Sequence, residues 1–448
     1  MNYLSFALIS LGCAKNLVDA EVMLGYLQEA GHHMVMDLPE AEIILINTCA
    51  FIASARSEAI EELLAANRWR SEGKLCYLVA TGCLSQRYSQ ELLQEMPEVD
   101  AFLGSSSYPR IREVITRLQQ GERSFAIVEE PECFLPQAGM PRQRLTLPAT
   151  SYLKIADGCD NRCSYCTIPL IRGRFRSRSI EDIHREAEAL VATGAREICL
   201  VAQDSTRYGM DIYGESRLTE LCQSLLTIVE LRWLRVLYGH PAHLTRGFLE
   251  LMAVEERLCS YLDLPLQHSE VRVLAAMNRP VAPGQNLQLL REARHLIPDL
   301  MLRSTFIVGF PGESEEEFAA LCDFVKQMRF DHLGVFAYEQ EEETPAGVLP
   351  GQLSTRVKES RRRKLMAVQQ GMIESTLSRW LGREVTVLLE ARRPDGVMLG
   401  RFTGQAPDVD GLVRVSSCDA PPGTFIPARI TGVDGYDLLA EAIPYSQS

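Results

Sequence analysis

Residues 153–178 read LKIADGCDNRCSYCTIPLIRGRFRSR and contain Cys159, Cys163 and Cys166 in a Cys-x3-Cys-x2-Cys spacing. The apolar run from Tyr152 to Ala156 predicts a β-strand, so the cysteines fall in the loop that follows it. Structural zinc would need a fourth Cys or His nearby, and none follows before His184. Iron–sulfur clusters are held by cysteine thiolates, usually four. We therefore predict a 4Fe-4S cluster on these three cysteines, with one iron open to another ligand.

Strand-like runs alternate with helical patterns around and beyond this loop. The six runs lie near residues 152–156, 196–202, 232–238, 259–264, 301–308 and 331–338. Parallel strands with right-handed crossovers close part of a barrel, whose chemistry lies at the carboxyl ends of the strands. One helix is expected to begin after a cap at Ser179, with Asp182 three residues on, and another from Glu313.

Three further cysteines follow strand-like runs near the start of the chain. The runs are Leu4–Ile9, 42–46 and 75–80, and Cys13, Cys49 and Cys83 lie three or four residues beyond them. Parallel strands place such loops at one edge of a sheet, so an open parallel α/β sheet would bring these thiols to a single site. Free cysteine is also a common buried apolar residue, and this alternative suits Cys76, Cys199, Cys222, Cys259 and Cys322 better.

The apolar start before Cys13 also resembles a short export signal. No Lys or Arg precedes Cys13, so the basic segment of such a signal is missing, and we expect a cytoplasmic protein. The 448 residues suggest two to four domains, and no run is long enough to span a membrane. Thirteen cysteines without a secretory context favour metal thiolates over disulfides. The net charge of -13 favours a basic protein partner over nucleic acid.

Composition divides the chain into three domains and a linker. Residues 131–148 contain four prolines and no apolar periodicity, which predicts a linker. We therefore expect an N-terminal domain over 1–130, a central domain over 149–377 and a C-terminal domain over 378–448. Short β-type runs separated by Gly, Pro and Asp predict a small all-β barrel for the last of these.

The motif GCDNRCSYCTIP resembles the cluster loop of the radical SAM enzymes, and the whole chain resembles the methylthiotransferases. Within that family, SLGCAKNLVDAE, RGRFRSR, AQDSTRYGMDIYG, YLDLPLQH and RSTFIVGFPGESEEEF are most similar to the branch that modifies an aspartate of small-subunit ribosomal protein twelve (uS12). The C-terminal domain resembles the TRAM barrel, which in relatives often binds RNA. The expected architecture is α/β, with a parallel α/β sheet domain, a partial (β/α)6 radical SAM barrel and the TRAM barrel.

The resemblance implies two 4Fe-4S clusters and S-adenosylmethionine. One cluster, on Cys159, Cys163 and Cys166, would bind S-adenosylmethionine and generate a deoxyadenosyl radical, which removes hydrogen from the aspartate β-carbon. The other, on Cys13, Cys49 and Cys83, would deliver the methylated sulfur. An external electron donor and a sulfur source are implied as partners, and uS12 would be modified free or within the ribosome or its assembly intermediate.

Other site assignments rest on strand-end positions. Gln203, Asp204, Gly309 and Arg176 are expected to contact the cofactor. Asp204 is equally suited to cap a helix, and Gly309 to allow a tight turn. The alternating Arg172, Arg174, Arg176 and Arg178 would face the cofactor or form a solvated edge. His268 is expected to be structural.

The predicted reaction is methylthiolation of the uS12 aspartate, and two alternatives remain open. One is methylthiolation of a transfer RNA adenosine, and the other is a non-enzymatic two-cluster electron carrier that docks on RNA or ribosomes. Residues 378–448 hold seven Arg, no Lys and nine Asp or Glu, a balance of -2 that disfavours RNA. Glu270, Glu339 and Glu343 stand where the family would have small residues, so we expect local loop differences there.

Overall fold

The computed structural model describes residues 3–341 and 343–444. Residues 1, 2 and 445–448, which include the predicted outer ends of the first and last domains, and Glu342 lie outside the described residues. Within the described part of the chain, no helix has the length and apolar character needed to cross a membrane.

The N-terminal region forms one parallel sheet with the strand order β2-β1-β3-β4-β5-β6. The strands are β1 (Ser5–Ser10), β2 (His33–Met34), β3 (Ile43–Thr48), β4 (Tyr77–Gly82), β5 (Ala101–Gly104) and β6 (Phe125–Ile127). The helices are α1 (Ala14–Glu29), α2 (Ala53–Asn67), α3 (Trp69–Glu72), α4 (Cys83–Glu95) and α5 (Ile111–Gln119). Every residue of β3 is buried, as expected for a central parallel strand covered on both faces. The α/β prediction is confirmed, and β2, β5 and β6 extend the sheet beyond the three predicted strands.

Residues 128–149 contain no helix or strand, yet they are firmly docked. Arg142 lies 2.5 Å from Glu21 of α1 and 2.8 Å from Glu186, and all three side chains are largely buried. Glu21 also accepts a hydrogen bond of 2.7 Å from the backbone N–H of Leu145. The linker segment therefore fastens the first sheet to the central domain.

The central region contains six parallel strands in chain order. The sheets β7-β10-β11 and β12-β13-β14 are joined by a parallel bridge between Leu234 and Leu258, which makes the predicted partial barrel. Its strands are β7 (Thr150–Lys154), β10 (Glu197–Val201), β11 (Trp233–Val236), β12 (Tyr261–Asp263), β13 (Met301–Val308) and β14 (His332–Ala337), with a small ribbon of β8 (Ala156–Asp157) and β9 (Arg176–Ser177). Its helices are α6 (Ile168–Arg172), α7 (Ile180–Ala192), α8 (Met210–Tyr213), α9 (Leu218–Leu225), α10 (Arg246–Val254), α11 (Val271–Ala276), α12 (Gln285–Leu296), α13 (Glu315–Met328) and α14 (Thr355–Leu377).

The structure confirms one predicted helix start and moves another. Ser179 caps α7 and accepts a hydrogen bond from the backbone N–H of Asp182. The helix expected from Glu313 instead begins at Glu315, because Ser314 and Glu317 form a capping box. Glu313 is buried before the helix, where its carboxylate lies 3.0 Å from Arg361.

The C-terminal region is a closed five-stranded barrel, as predicted. Its strands are β15 (Glu384–Arg392), β16 (Met398–Arg401), β17 (Val413–Ser416), β18 (Phe425–Asp434) and β19 (Asp437–Ala442). Residues inside the central barrel, such as Tyr152 and Trp233, share one apolar core with Phe402 of this domain. Buried Arg401 pairs with Glu197 of β10 at 2.5 Å. The small barrel therefore closes one side of the larger one.

Candidate functional site

The loop after β7 holds Cys159, Cys163 and Cys166 in a fixed conformation. Gly158 has φ +77°, and a Cβ there would lie 2.0 Å from the Arg174 carbonyl oxygen, so only glycine fits this close approach. The Cys159 N–H donates to the Gly173 carbonyl at 3.1 Å. The loop is therefore tied to the chain that returns from α6.

Of the three thiol-bearing residues of this loop, Cys159 is buried, whereas Cys163 and Cys166 are half-buried. The Arg279 guanidinium donates to Cys163 Sγ at 3.5 Å, and the Ile168 N–H donates to Cys166 Sγ at the same distance. Burial raises the pKa of Cys159 to about 11 and the pKa of Cys166 to about 12. A bound iron cation would reverse this effect, since a coordinating thiol is deprotonated by its metal. Cation and thiolates are thus expected to stabilise each other here.

The sheet brings Cys13, Cys49 and Cys83 to one edge, at the carboxyl ends of the adjacent strands β1, β3 and β4. Cys13 is the N-cap residue of α1, and Cys83 begins α4. Burial, together with the nearby Cys83 and Cys13, raises the pKa of Cys49 to about 11. Desolvation also acts on Cys13, but the positive charges of Lys15 and Arg172 lower its pKa overall. The fold thus places the three thiols at one edge of the sheet, and their role as ligands of one cluster stays a prediction.

A buried charge network joins the two cysteine sites. Arg172 donates to Asp19 at 2.7 Å and to Asp157 at 3.3 Å, and Lys154 pairs with the same two carboxylates. Asp19 belongs to α1, which Cys13 caps, whereas Asp157 lies two residues before Cys159. Arg172 also donates to Cys83 Sγ at 3.7 Å. Two positive and two negative side chains therefore fix the first domain against the cluster loop.

In neither triad do the sulfur atoms form a compact site for a single zinc ion. Among the described residues, neither triad has all three sulfur atoms within 4.8 Å of one another. Four thiolates around one zinc, with Zn–S bonds of about 2.3 Å, would lie about 3.8 Å apart. In a cluster each thiolate binds a different iron, so wider spacing is expected. The donor sets fit two iron–sulfur clusters.

The four other residues predicted to contact the cofactor differ in their position relative to the cluster loop. Gln203 donates to Asp157 at 2.8 Å, and Asp204 accepts from Asn161 of the cluster loop at 2.7 Å, so both lie beside the first triad. Gly309 has φ +74° in a tight turn against Lys358. Arg176 donates to the carbonyls of Pro131, Glu132 and Phe134, which accounts for its position without a cofactor. Contacts of these residues with a cofactor stay predictions.

The arginine run does not form a single edge. Arg172 is buried in the network, Arg178 pairs with Asp182 and Glu186, and Arg174 is 79% exposed.

His268 is buried, with its Nε2 3.3 Å from Glu313, as expected for a structural residue. Among the presumed buried cysteines, Cys76 is exposed, because it precedes β4. Arg279, Asp19 and Lys154 were not expected at the site, since each reaches it only through tertiary packing.

Three family profiles match the chain in order. They are "Uncharacterized protein family UPF0004" at residues 5–104, "Radical SAM superfamily" at 153–325 and "TRAM domain" at 381–443. Each cysteine triad falls within one of the first two matched segments.

Full-length relatives decide the family. "Ribosomal protein uS12 methylthiotransferase RimO" of Syntrophus aciditrophicus (strain SB) is 48% identical, and the match covers 99% of both chains. The chain belongs to the uS12 methylthiotransferase RimO family. The RimO protein of Desulforudis audaxviator (strain MP104C) is 47% identical over 98% of this chain and 96% of its own. The sequence-based assignment to this branch is confirmed.

A solved structure supports the fold of most of this chain. The radical S-adenosylmethionine methyltransferase TsrM from Kitasatospora setae, with cobalamin and a [4Fe-4S] cluster bound, aligns with a TM-score of 0.56. The alignment covers 78% of this chain and 77% of TsrM at 16% identity. The similarity therefore concerns the fold.

Proposed function

We propose that this protein methylthiolates the β-carbon of an aspartate in ribosomal protein uS12 by radical SAM chemistry. The match to RimO proteins over 99% of the chain carries this proposal. The two triads support it, because each provides three thiolates and leaves room for a fourth ligand from outside the protein.

The six cysteines would hold the two 4Fe-4S clusters, Cys159, Cys163 and Cys166 one and Cys13, Cys49 and Cys83 the other. When bound, the clusters and S-adenosylmethionine supply the radical that removes the β-hydrogen and the methylated sulfur that replaces it. The electrons and the sulfur itself would come from an external donor and a sulfur source.

The protein's own part is positioning and exclusion of water. The network of Asp19, Lys154, Asp157 and Arg172 fixes the distance between the triads, and a fixed distance is what transfer between two centres needs. Asp157 also accepts hydrogen bonds from Gln203 and from the Gly158 backbone, which sets the start of the cluster loop. Gln203, Asp204 and Gly309 are proposed to hold the cofactor's polar groups.

Charge favours a protein substrate over transfer RNA. Six of the seven arginines of the C-terminal domain already pair with carboxylates, at Arg379, Arg383, Arg393, Arg401, Arg414 and Arg429. RNA platforms need free cations, because phosphate contacts dominate their affinity. The net charge of -13 instead attracts a basic protein, as ribosomal proteins are. With a ribosomal substrate, the reaction would take place in the cytoplasm.

Anaerobic reconstitution tests the proposal. The reduced protein is incubated with S-adenosylmethionine and either uS12, free or within small ribosomal subunits, or bulk transfer RNA. We expect 5′-deoxyadenosine together with a methylthiolated uS12. Methylthiolated nucleosides with unchanged uS12 would establish the transfer RNA reaction instead, and an absence of deoxyadenosine would leave an electron carrier.

A further inference from the structure

The helix α11 of the central domain ends in a Schellman motif. The Asn278 N–H donates to the Ala275 carbonyl at 3.0 Å. The Arg279 N–H donates to the Leu274 carbonyl at 2.8 Å, as this motif requires. Asn278 adopts the left-handed conformation at the turn, with φ +55°. The motif therefore fixes the backbone of Arg279 just beyond the end of the helix.

The same end of α11 is fastened to the loop that carries the first cysteine triad. Ser164 of this loop donates its N–H and its hydroxyl to two carbonyls at the end of the helix, at 2.9 Å and 2.7 Å. The Asn278 side-chain amide donates to the Arg162 carbonyl at 2.6 Å. These three hydrogen bonds hold the residues on both sides of Cys163, so the backbone sets where Arg279 lies relative to this thiol.

The Arg279 guanidinium reaches a cluster ligand and has no carboxylate partner. Its Nη1 donates to Cys163 Sγ at 3.5 Å, and its Nη2 donates to the Pro265 carbonyl at 2.8 Å. In the described part of the chain, no carboxylate lies within 4.0 Å of the guanidinium. Asp204, which also lies beside the loop, pairs with His243 at 2.6 Å instead. The positive charge of Arg279 is therefore directed at the sulfur that would bind iron.

We propose that Arg279 raises the reduction potential of the cluster on Cys159, Cys163 and Cys166 through its hydrogen bond to the Cys163 thiolate. The inference rests on the proposed function, which needs this cluster to be reduced. Reduction adds one electron from the external donor and makes or breaks no bond, so the cluster gains one negative charge. A positive charge and a hydrogen bond at a ligand sulfur stabilise the more negative state. A guanidinium suits this role because it stays protonated in proteins.

Screening by water limits the size of the effect. Arg279 is half-buried, and together with Cys163 it lines a cavity of about 350 Å³, so water can approach the pair. The effective dielectric constant is then about 20 or more. We expect loss of the positive charge to lower the equilibrium constant for reduction about 10-fold, which is about 59 mV for a one-electron couple.

A redox titration with dithionite, followed by electron paramagnetic resonance without S-adenosylmethionine, tests this role. The full chain is reconstituted with iron and sulfide and carries Cys13→Ala, so that the cluster beside Arg279 is observed alone. The variants are Arg279→Gln, Arg279→Met and Arg279→Lys. The control is Arg272→Gln from the same helix, whose exposed guanidinium pairs with Glu317 at 2.5 Å. Iron content and the dissociation constant for S-adenosylmethionine are measured in each protein.

We expect the two neutral variants to keep their iron and to shift the midpoint potential by about 59 mV to more negative values. Arg272→Gln should leave the potential unchanged, and Arg279→Lys should retain most of it because the positive charge remains. Equal shifts in Arg279→Lys and Arg279→Gln would assign the effect to altered packing and overturn the proposal.

An unchanged potential in the neutral variants would also overturn the proposal, and weaker S-adenosylmethionine binding in them would then assign Arg279 to the cofactor. Loss of iron from both neutral variants would overturn it as well, since Arg279 would then be needed to hold the cluster. The proposed function fails separately, if the reduced wild-type protein with S-adenosylmethionine forms no deoxyadenosine.

Discussion

Replacing Arg172 with methionine would remove one of four buried charges that join the two cysteine sites. Asp19 and Asp157 would keep only Lys154 as a counter-ion, so the network would carry a net charge of -1. Breaking a buried ion pair by removing one partner costs about 3–5 kcal/mol. We expect Arg172→Met to lower the free energy of unfolding of the apoprotein by about this amount.

A second substitution separates charge balance from lost packing. In the double variant Asp19→Asn, Arg172→Met, the remaining Lys154 and Asp157 lie 3.2 Å apart and balance each other. The loss in the double variant should therefore be smaller than the sum of the losses in Asp19→Asn and Arg172→Met by about 2 kcal/mol, which is within the usual range of coupling energies. Urea unfolding followed by far-UV circular dichroism, at matched m values, measures both. Simple additivity of the two single effects would refute the reasoning.

Three further predictions address the triads, the domain interface and acid stability. Cys13→Ala should keep roughly half the iron and still form deoxyadenosine, but no methylthio product, whereas the control Cys76→Ala should keep all its iron. Full iron content in Cys13→Ala would contradict a cluster on the N-terminal triad. The buried Glu341 carboxylate lies 2.6 Å from Arg56 and 3.1 Å from Arg87. Glu341→Gln should therefore lower the free energy of unfolding by about 1.5–3 kcal/mol, measured by urea unfolding. The control is Glu40→Gln, which removes a carboxylate from an exposed ion pair, and equal losses in the two variants would refute the buried contact. Although burial opposes it, Arg401 and Arg235 lower the pKa of Glu197 to about 2. The loss of unfolding free energy caused by Glu197→Gln should be largest above about pH 4.5, near the ordinary pKa of Glu, and should shrink toward pH 2. A loss that stays constant over this pH range would exclude the linkage between Glu197 ionisation and stability.

The fold was largely predictable because its strands are apolar runs at regular intervals. All six barrel strands lie at the predicted places, since buried parallel strands lie within apolar runs of the sequence. β2, with only two residues, is too short to leave such a run. The start of α13 was misplaced by two residues, because Glu313 points to Arg361 instead of opening the helix.

The cysteines of the candidate site were predictable from spacing, whereas their surroundings were not. Cys13, Cys49 and Cys83 each follow a strand, so their convergence follows from sheet topology. Lys15 and Arg279 carry no local signal, because each meets its partner across a tertiary contact: Lys15 meets Tyr238, and Arg279 meets Cys163. Glu339 and Glu343 reach Ser54 and Arg87 of the N-terminal domain, and these contacts were not predicted. The sequence did not predict which side chains pair between domains.

The intact mass of uS12, from cells with and without this protein, tests the central claim most directly. The account predicts that uS12 carries one methylthio group in place of a hydrogen only when the protein is present, with the change located on an aspartate, and that the nucleosides of bulk transfer RNA are the same in both. An unchanged uS12 mass together with the loss of a methylthiolated nucleoside would contradict it.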